Sequence, residues 1–265
     1  MTSDAAEPLR LDISEGVATL TLSQGARGNP IDGNFCRVFL LAALRLWNEP
    51  GLRAVHLRAE GANFSFGGDI KSFISKLDQL GPCVREWTAD LHMGLSRFWQ
   101  LPVPIIAEVQ GWAMGGAVSL IAGCDVVVAG ESARMGSAFA QIGFSCDTGS
   151  SVSLSARMGM ARARRFFLLA EVLGSAEAQQ AGLVDQVVPD TELAKTASAL
   201  ALRMGAGPTL AYGEIKRLFL RSQHQPFESQ LEDEALTLAR MAATRDGREG
   251  ITAMAEKRKP HFTGQ

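Results

Sequence analysis

Two glycine pairs constrain this chain most: Gly67-Gly68 in FSFGGDIKSF and Gly115-Gly116 in GWAMGGAVSL. Each pair leads into helix-like sequence. Glycine permits tight turns and lets backbone approach a neighbour without a Cβ in the way. Two such turns can aim two backbone N–H groups at one oxygen. Downstream, the stretch Met135–Gly149 (MGSAFAQIGFSCDTG) carries a lone carboxylate, Asp147, able to move a proton. Together these are the parts needed to form and quench an enolate.

The surrounding pattern alternates strand and helix. Leu9, Leu11 and Ile13 alternate with polar residues, as do Ala18, Leu20 and Leu22 beyond Glu15-Gly16, which predicts an antiparallel hairpin. Asp32 is placed to cap a helix burying Phe35, Val38, Phe39, Ala42 and Leu46. Residues 54–57, 104–109 and 126–129 read as strands, and 71–80, 83–100 and 115–123 as helices. This predicts an α/β fold with a mainly parallel sheet and helices packed over it. After about Ser150 only Leu183–Val188 reads as strand. Asp190 is placed to cap a further helix, 226–244 carries an apolar face (Phe227, Leu231, Ala235, Leu238), and Asp246 to Glu249 resembles a capping arrangement before the last helix. Amphipathic helices that follow a finished core need something to cover, which points to contacts between subunits.

The 265 residues carry a formal net charge of -2 with 46% apolar residues, the balance of a soluble globular protein. No Lys/Arg stripe offers a field for nucleic acid. No apolar run approaches a membrane span, and the N-terminus MTSDAAEPLRLD lacks the order of a signal peptide. Cys36, Cys83, Cys124 and Cys146 are scattered, so reduced thiols in a cytoplasmic protein without a metal site are expected.

The ordered set of FSFGGDIKSF, IIAEVQGWAMGGAVSLIAGCD (Ile105–Asp125), SAEAQQAGLVDQVVP (Ser175–Pro189) and REGITAMAEKRKPHF (Arg248–Phe262), with the Asn29-Pro30 turn, resembles the crotonase superfamily, the enoyl-CoA hydratase/isomerase family. The resemblance covers roughly residues 9–265. It implies a crotonase-like ββα spiral core over 1–190 and a helical C-terminal trimerisation region over 191–265. It also implies homo-oligomers (trimer or hexamer) and acyl-CoA thioester substrates, with coenzyme A as part of the substrate and no covalently bound cofactor. The oxyanion donors it implies are the N–H groups of Gly68 and Gly116. Coenzyme A contacts fall on Phe66, Asp69, Ile70 and Lys71, with Lys257 and Arg258 placed for phosphates.

Hydratases of the family carry two glutamates at positions held here by Ser119 and Phe139. Asp147 instead matches the acid of the branch that includes ring-epoxyphenylacetyl-CoA isomerases, although Ser145-Cys146 replaces the familiar Pro-containing turn. One carboxylate suits a shuttle that takes a proton from one carbon and returns it to another, so isomerisation is expected over hydration. Alternatives are a hydratase, lyase or decarboxylase using the same Asp147, or a silent acyl-CoA-binding protein.

Burial beside Phe139, Ile142 and Phe144 is expected for Asp147, to raise its affinity for protons. The bland alternative is a cap on the next helix through Ser150 or Ser151. Ser119, Phe139 and Phe144 are expected in the substrate pocket. The apolar set Phe64, Phe66, Trp87, Trp112, Phe139 and Phe144 suits either an aromatic or a fatty acyl group. His92 borders the acyl pocket in relatives but has no sequence-adjacent acid, His56, His224 and His261 have no constellation, and Glu108 reads as structural.

Overall fold

The computed structural model describes residues 7–265; Met1–Ala6, half of the stretch on which the signal-peptide reading falls, lie outside the described residues. The chain begins with β1 (Leu9–Ser14) and β2 (Val17–Leu22), an antiparallel hairpin with Leu9 opposite Leu22 and Ser14 opposite Val17. Helix α1 (Gly33–Trp47) follows, with the Asp32 carboxylate accepting the Phe35 N–H at 2.9 Å. Next come β3 (Ala54–Ala59), a short α2 (Ile70–Ser75), the long α3 (Leu80–Trp99), β4 (Ile105–Val109), β5 (Trp112–Met114), α4 (Gly116–Ala122), β6 (Val126–Gly130) and β7 (Arg134–Gly136). The chain continues through α5 (Ser150–Met158), α6 (Met160–Leu168), β8 (Val172–Gly174), α7 (Ser175–Gln180) and β9 (Gln186–Val188). It closes with α8 (Leu193–Gly205), α9 (Thr209–Ser222), α10 (Phe227–Ala243) and α11 (Arg245–Ala255).

Six strands form one sheet in the order β1-β2-β3-β4-β6-β9, parallel from β2 onward. Three-residue strands form a second sheet, β5-β7-β8. From β4 to β7, strands of the two sheets alternate along the chain, with α4 crossing between β5 and β6. Side chains alternate across a strand. Val55, Leu57, Ile105, Ala107, Val127 and Ala129 face one core with Phe35, Phe39, Leu91, Leu95 and Phe98 of α1 and α3. The Phe39 and Phe98 rings meet edge-on at 5.3 Å. Ile106 and Val128 face the other side, under Leu193, Ala197 and Ala201 of α8.

Helix α9 is fastened by Lys216, whose Nζ lies 2.7 Å from Asp125 and donates to the Val103 carbonyl. Burial pushes the Asp125 carboxyl up despite that partner. Arg217 grips Asp233 with two bonds, at 2.8 and 2.9 Å, and so ties α9 to α10.

Two local expectations are corrected. Asp190 does not cap α8: it sits in a 3-10 turn and accepts the Ser132 N–H at 3.2 Å, bracing a distant loop. Asp246 does not cap α11 either. Thr244 takes that role, accepting the Gly247 N–H, while Asp246 is buried and accepts the N–H groups of Thr263 and Gly264. The apolar face of α10, expected to meet another subunit, is left uncovered by the described residues: Leu231 and Leu238 are 49% and 72% exposed.

Candidate active site

The backbone register between β5 and a short segment after β3 brings the two glycine pairs together. Ser65 and Ala113 form a parallel bridge, with Ser65 N–H donating to Trp112 O and Met114 N–H to Ser65 O. Counting two and three residues onward from that bridge gives Gly67 and Gly68 on one strand and Gly115 and Gly116 on the other. The fit admits no side chain. Gly67 has φ +78°, and a Cβ there would lie 2.5 Å from Met114 O and 3.5 Å from Gly116 N. Gly115, at φ +54°, turns the chain into α4. Among the described residues no internal acceptor takes the N–H of Gly68 or Gly116.

Asn29 holds this turn in place. Its Nδ2 donates to the carbonyls of Glu60, Asn63 and Phe64, and its own carbonyl accepts from Ser65 Oγ, which in turn accepts the Gly67 N–H. The Asn29-Pro30 turn is therefore a brace under the first glycine pair.

Gly68 and Gly116 open onto a cavity of about 700 Å³. Its wall includes Phe66, Ile70, Phe73, Trp87, Leu91, Phe139, Phe144 and Asp147. Phe73 lies over Gly68 and stacks against Trp87 and Phe144, with centroids 6.2 and 5.7 Å away. Cys36 is also on the wall, but burial pushes its thiol up to about 12, so it stays neutral and is a poor nucleophile.

Asp147 is not enclosed as expected. Ile142 and Phe144 flank it but are themselves exposed, and the Asp147 side chain is 34% exposed. The loop they sit on stands open to solvent. The capping alternative also fails: α5 starts at Ser150, its N-cap is Gly149, and no side-chain cap bond is made there. The carboxylate is instead met from outside by His92, whose Nε2 lies 2.7 Å from Oδ1. Sequence reasoning left His92 without an acid because Asp147 is 55 residues away. The signal available was its place beside the cavity-facing stripe Val84, Trp87, Thr88 and Leu91 of α3.

Next to Asp147, Thr148 is buried with φ +59°, a conformation a β-branched residue rarely adopts. Its hydroxyl packs on the start of α4: a Cβ on Gly116 would meet Oγ1 at 2.9 Å.

Other expected site residues fall elsewhere. Ser119, expected in the substrate pocket, is fully buried within α4 and is not on the cavity wall. Phe64 is in the core, and Trp112 is on the surface of β5. Asp69 caps α2 through the Lys71 N–H and pairs with Arg27 at 3.1 Å. Burial raises its affinity for protons, but the Ser72 hydroxyl, the helix N–H groups and Arg27 outweigh this and hold it below the ordinary range. Lys71 and Lys257 are exposed, and neither is on the wall. His56 is not isolated: its Nε2 lies 2.8 Å from Glu108 in a buried, off-axis contact, consistent with a structural role for Glu108.

The enoyl-CoA hydratase/isomerase family model matches residues 12–265. A Rhodobacter capsulatus protein named "Probable enoyl-CoA hydratase" is 34% identical over 97% of this chain and 98% of its own. The 1,2-epoxyphenylacetyl-CoA isomerase of Escherichia coli is 31% identical, covering 96% and 97%. The crystal structure of an enoyl-CoA hydratase from Polaromonas sp. JS666 superposes with a TM-score of 0.90 at 26% identity, covering 96% of this chain and 99% of that one. The chain belongs to the enoyl-CoA hydratase/isomerase family and has the crotonase fold. Its relatives carry hydratase and isomerase names alike. Among the described residues, no helix is long and apolar enough to cross a membrane.

Proposed function

We propose that this chain is an acyl-CoA thioester isomerase that moves a double bond through an enolate, with Asp147 as the single proton carrier. One observation supports this most: the Asp147 carboxylate lies on the same wall as Gly68 and Gly116, and among the described residues one of its oxygens and both glycine N–H groups have no protein partner. The two positions that hold glutamates in hydratases hold Ser119 and Phe139 here.

In this reading Asp147 Oδ2 takes a proton from the carbon next to the thioester, or from its vinylogous γ-carbon. The C–H pair enters the conjugated system, and negative charge gathers on the thioester oxygen. Gly68 and Gly116 donate to that oxygen; a preorganised donor of this kind is worth about 3–4 kcal/mol. The Asp147 acid then returns the same proton at the other carbon, so no water is consumed. Coenzyme A would run past Phe66, Asp69, Ile70 and Lys71, with Lys257 reaching phosphates from a neighbouring subunit. The exposed face of α10 supports a homo-oligomer built from the region beyond residue 190. A second reading, hydration or lyase chemistry by the same Asp147, draws on its partial exposure, which lets water reach it.

A panel of saturated, 2-enoyl, 3-enoyl and arylacetyl-CoA thioesters, followed for double-bond migration and water incorporation, tests the assignment. Migration in the 3-enoyl compounds with slow hydration of crotonyl-CoA is the expected result. Hydration at about 10 per second or faster, a rate typical of enzymes, would overturn it. No turnover on any member would favour a silent acyl-CoA-binding protein.

A further inference from the structure

His92 lies outside the cavity wall yet touches a carboxylate that is on it. It follows Leu91 on α3 and sits one turn beyond Thr88, both of which face the cavity. The 2.7 Å separation between Nε2 and Asp147 Oδ1 is that of a short, charge-assisted hydrogen bond. An ionised carboxylate only accepts, so Nε2 carries the proton and donates it. Oδ2 has no protein partner among the described residues. Among the described residues no other side-chain bond to the Asp147 carboxylate is present, so His92 is what fixes its rotation.

We propose that His92 is the positioning residue for Asp147: it holds Oδ1 toward α3 and leaves Oδ2 for the carbon acid. The inference rests on the reading of Asp147 as the proton carrier. Geometry argues against two other roles. As a base acting on substrate, the imidazole would need its second nitrogen on the cavity side. The ring is not part of the wall, however, and Nε2 is committed to Asp147. As a fold anchor, the pair would need burial, but the two side chains are 51% and 34% exposed, where an ion pair adds little to stability. Losing the bond should therefore show in turnover and not in melting. A carboxylate free to rotate spends part of its time with its lone pairs off the C–H axis, and a misplacement near 1 Å costs on the order of 10²-fold in rate.

The test is steady-state isomerisation of a 3-enoyl-CoA by wild type, His92→Phe and His92→Gln, with thermal melts alongside. His92→Ala serves as a second variant lacking the donor should the Phe ring disturb the fold. A parallel measurement follows deuterium uptake from D2O at the α-carbon of a saturated acyl-CoA, which needs the same proton abstraction without net turnover. The Phe variant should lose about 10- to 100-fold in kcat, and in exchange, with KM and melting close to wild type. The Gln variant, whose amide N–H donates from a similar reach, should regain most of the loss. Wild-type kcat in His92→Phe would overturn the role. So would a Gln variant as slow as Phe, since imidazole chemistry and not donation would then be required. A wild type that neither isomerises nor exchanges removes Asp147 as proton carrier, and this role with it. An active wild type with an indifferent Phe variant removes this role alone.

Discussion

Asp147 meets His92 through one oxygen, while the other has no protein partner among the described residues; in the proposed reading that asymmetry lets a single carboxylate serve two carbons in turn. The strain beside it has the same logic: Thr148 is held in the left-handed region while its hydroxyl packs against the start of α4. Gly67 carries the constraint closest to the proposed oxyanion donors. Alanine there would need a positive φ, at roughly 1–2 kcal/mol, and would press a methyl onto Met114 O and toward Gly116 N. Gly67→Ala should therefore lower turnover far more than its modest change in melting temperature suggests, because both proposed oxyanion donors move. Paired kinetics and melts check this; a variant with wild-type kcat would show that the two glycine turns tolerate displacement.

Local patterns carried the elements that depend on local chemistry. The hairpin follows from alternation on either side of Glu15-Gly16, and α1 follows from its Asp32 cap and apolar stripe. Strands β5, β7 and β8 have three residues each, too few to show a period, so the second sheet was not legible from alternation. Helix α9 leaves Ile215 and Phe219 exposed, and it was missed for want of a clear buried face. Asp190 and Asp246 looked like caps because each precedes a helical pattern, but their partners lie far along the chain. The partner of His92 is illegible for the same reason: the glycine pairs and Asp147 announce themselves in sequence, while the acid–imidazole pair exists only in the fold. At the end of the chain, Arg258 grips Glu249 with two bonds, and Glu249 also accepts the His261 N–H. The Arg258 guanidinium lowers the Glu249 carboxyl from 4.5 to about 2. A depressed carboxylate stabilises the fold fully above its unfolded value and loses that contribution as pH falls through the folded one. Protection of the His261 amide in hydrogen exchange should then decline between about pH 4.5 and 2, and Glu249→Gln should remove that pH dependence. A decline unchanged in the Gln variant would assign it to another group.

At the scale of the whole molecule, α9, α10 and α11 present an apolar surface that the rest of the chain does not cover, including Phe219, Phe227, Leu238 and Met254. Apolar surface left open in this way supports the proposed homo-oligomer. Light scattering at micromolar concentration should give a mass near three times 28.3 kDa or a multiple of that, and Leu238→Glu should shift it downward. A monodisperse monomer would contradict a trimer-based assembly. The cavity, its two free N–H groups and Asp147 belong to one chain, so the chemistry can be tested whatever the assembly. Asp147→Asn keeps the size of the side chain and removes the titratable base. The account predicts that isomerisation of a 3-enoyl-CoA by this variant falls by about 10²- to 10⁴-fold, with ligand affinity and melting temperature close to wild type. Wild-type turnover in Asp147→Asn would contradict it.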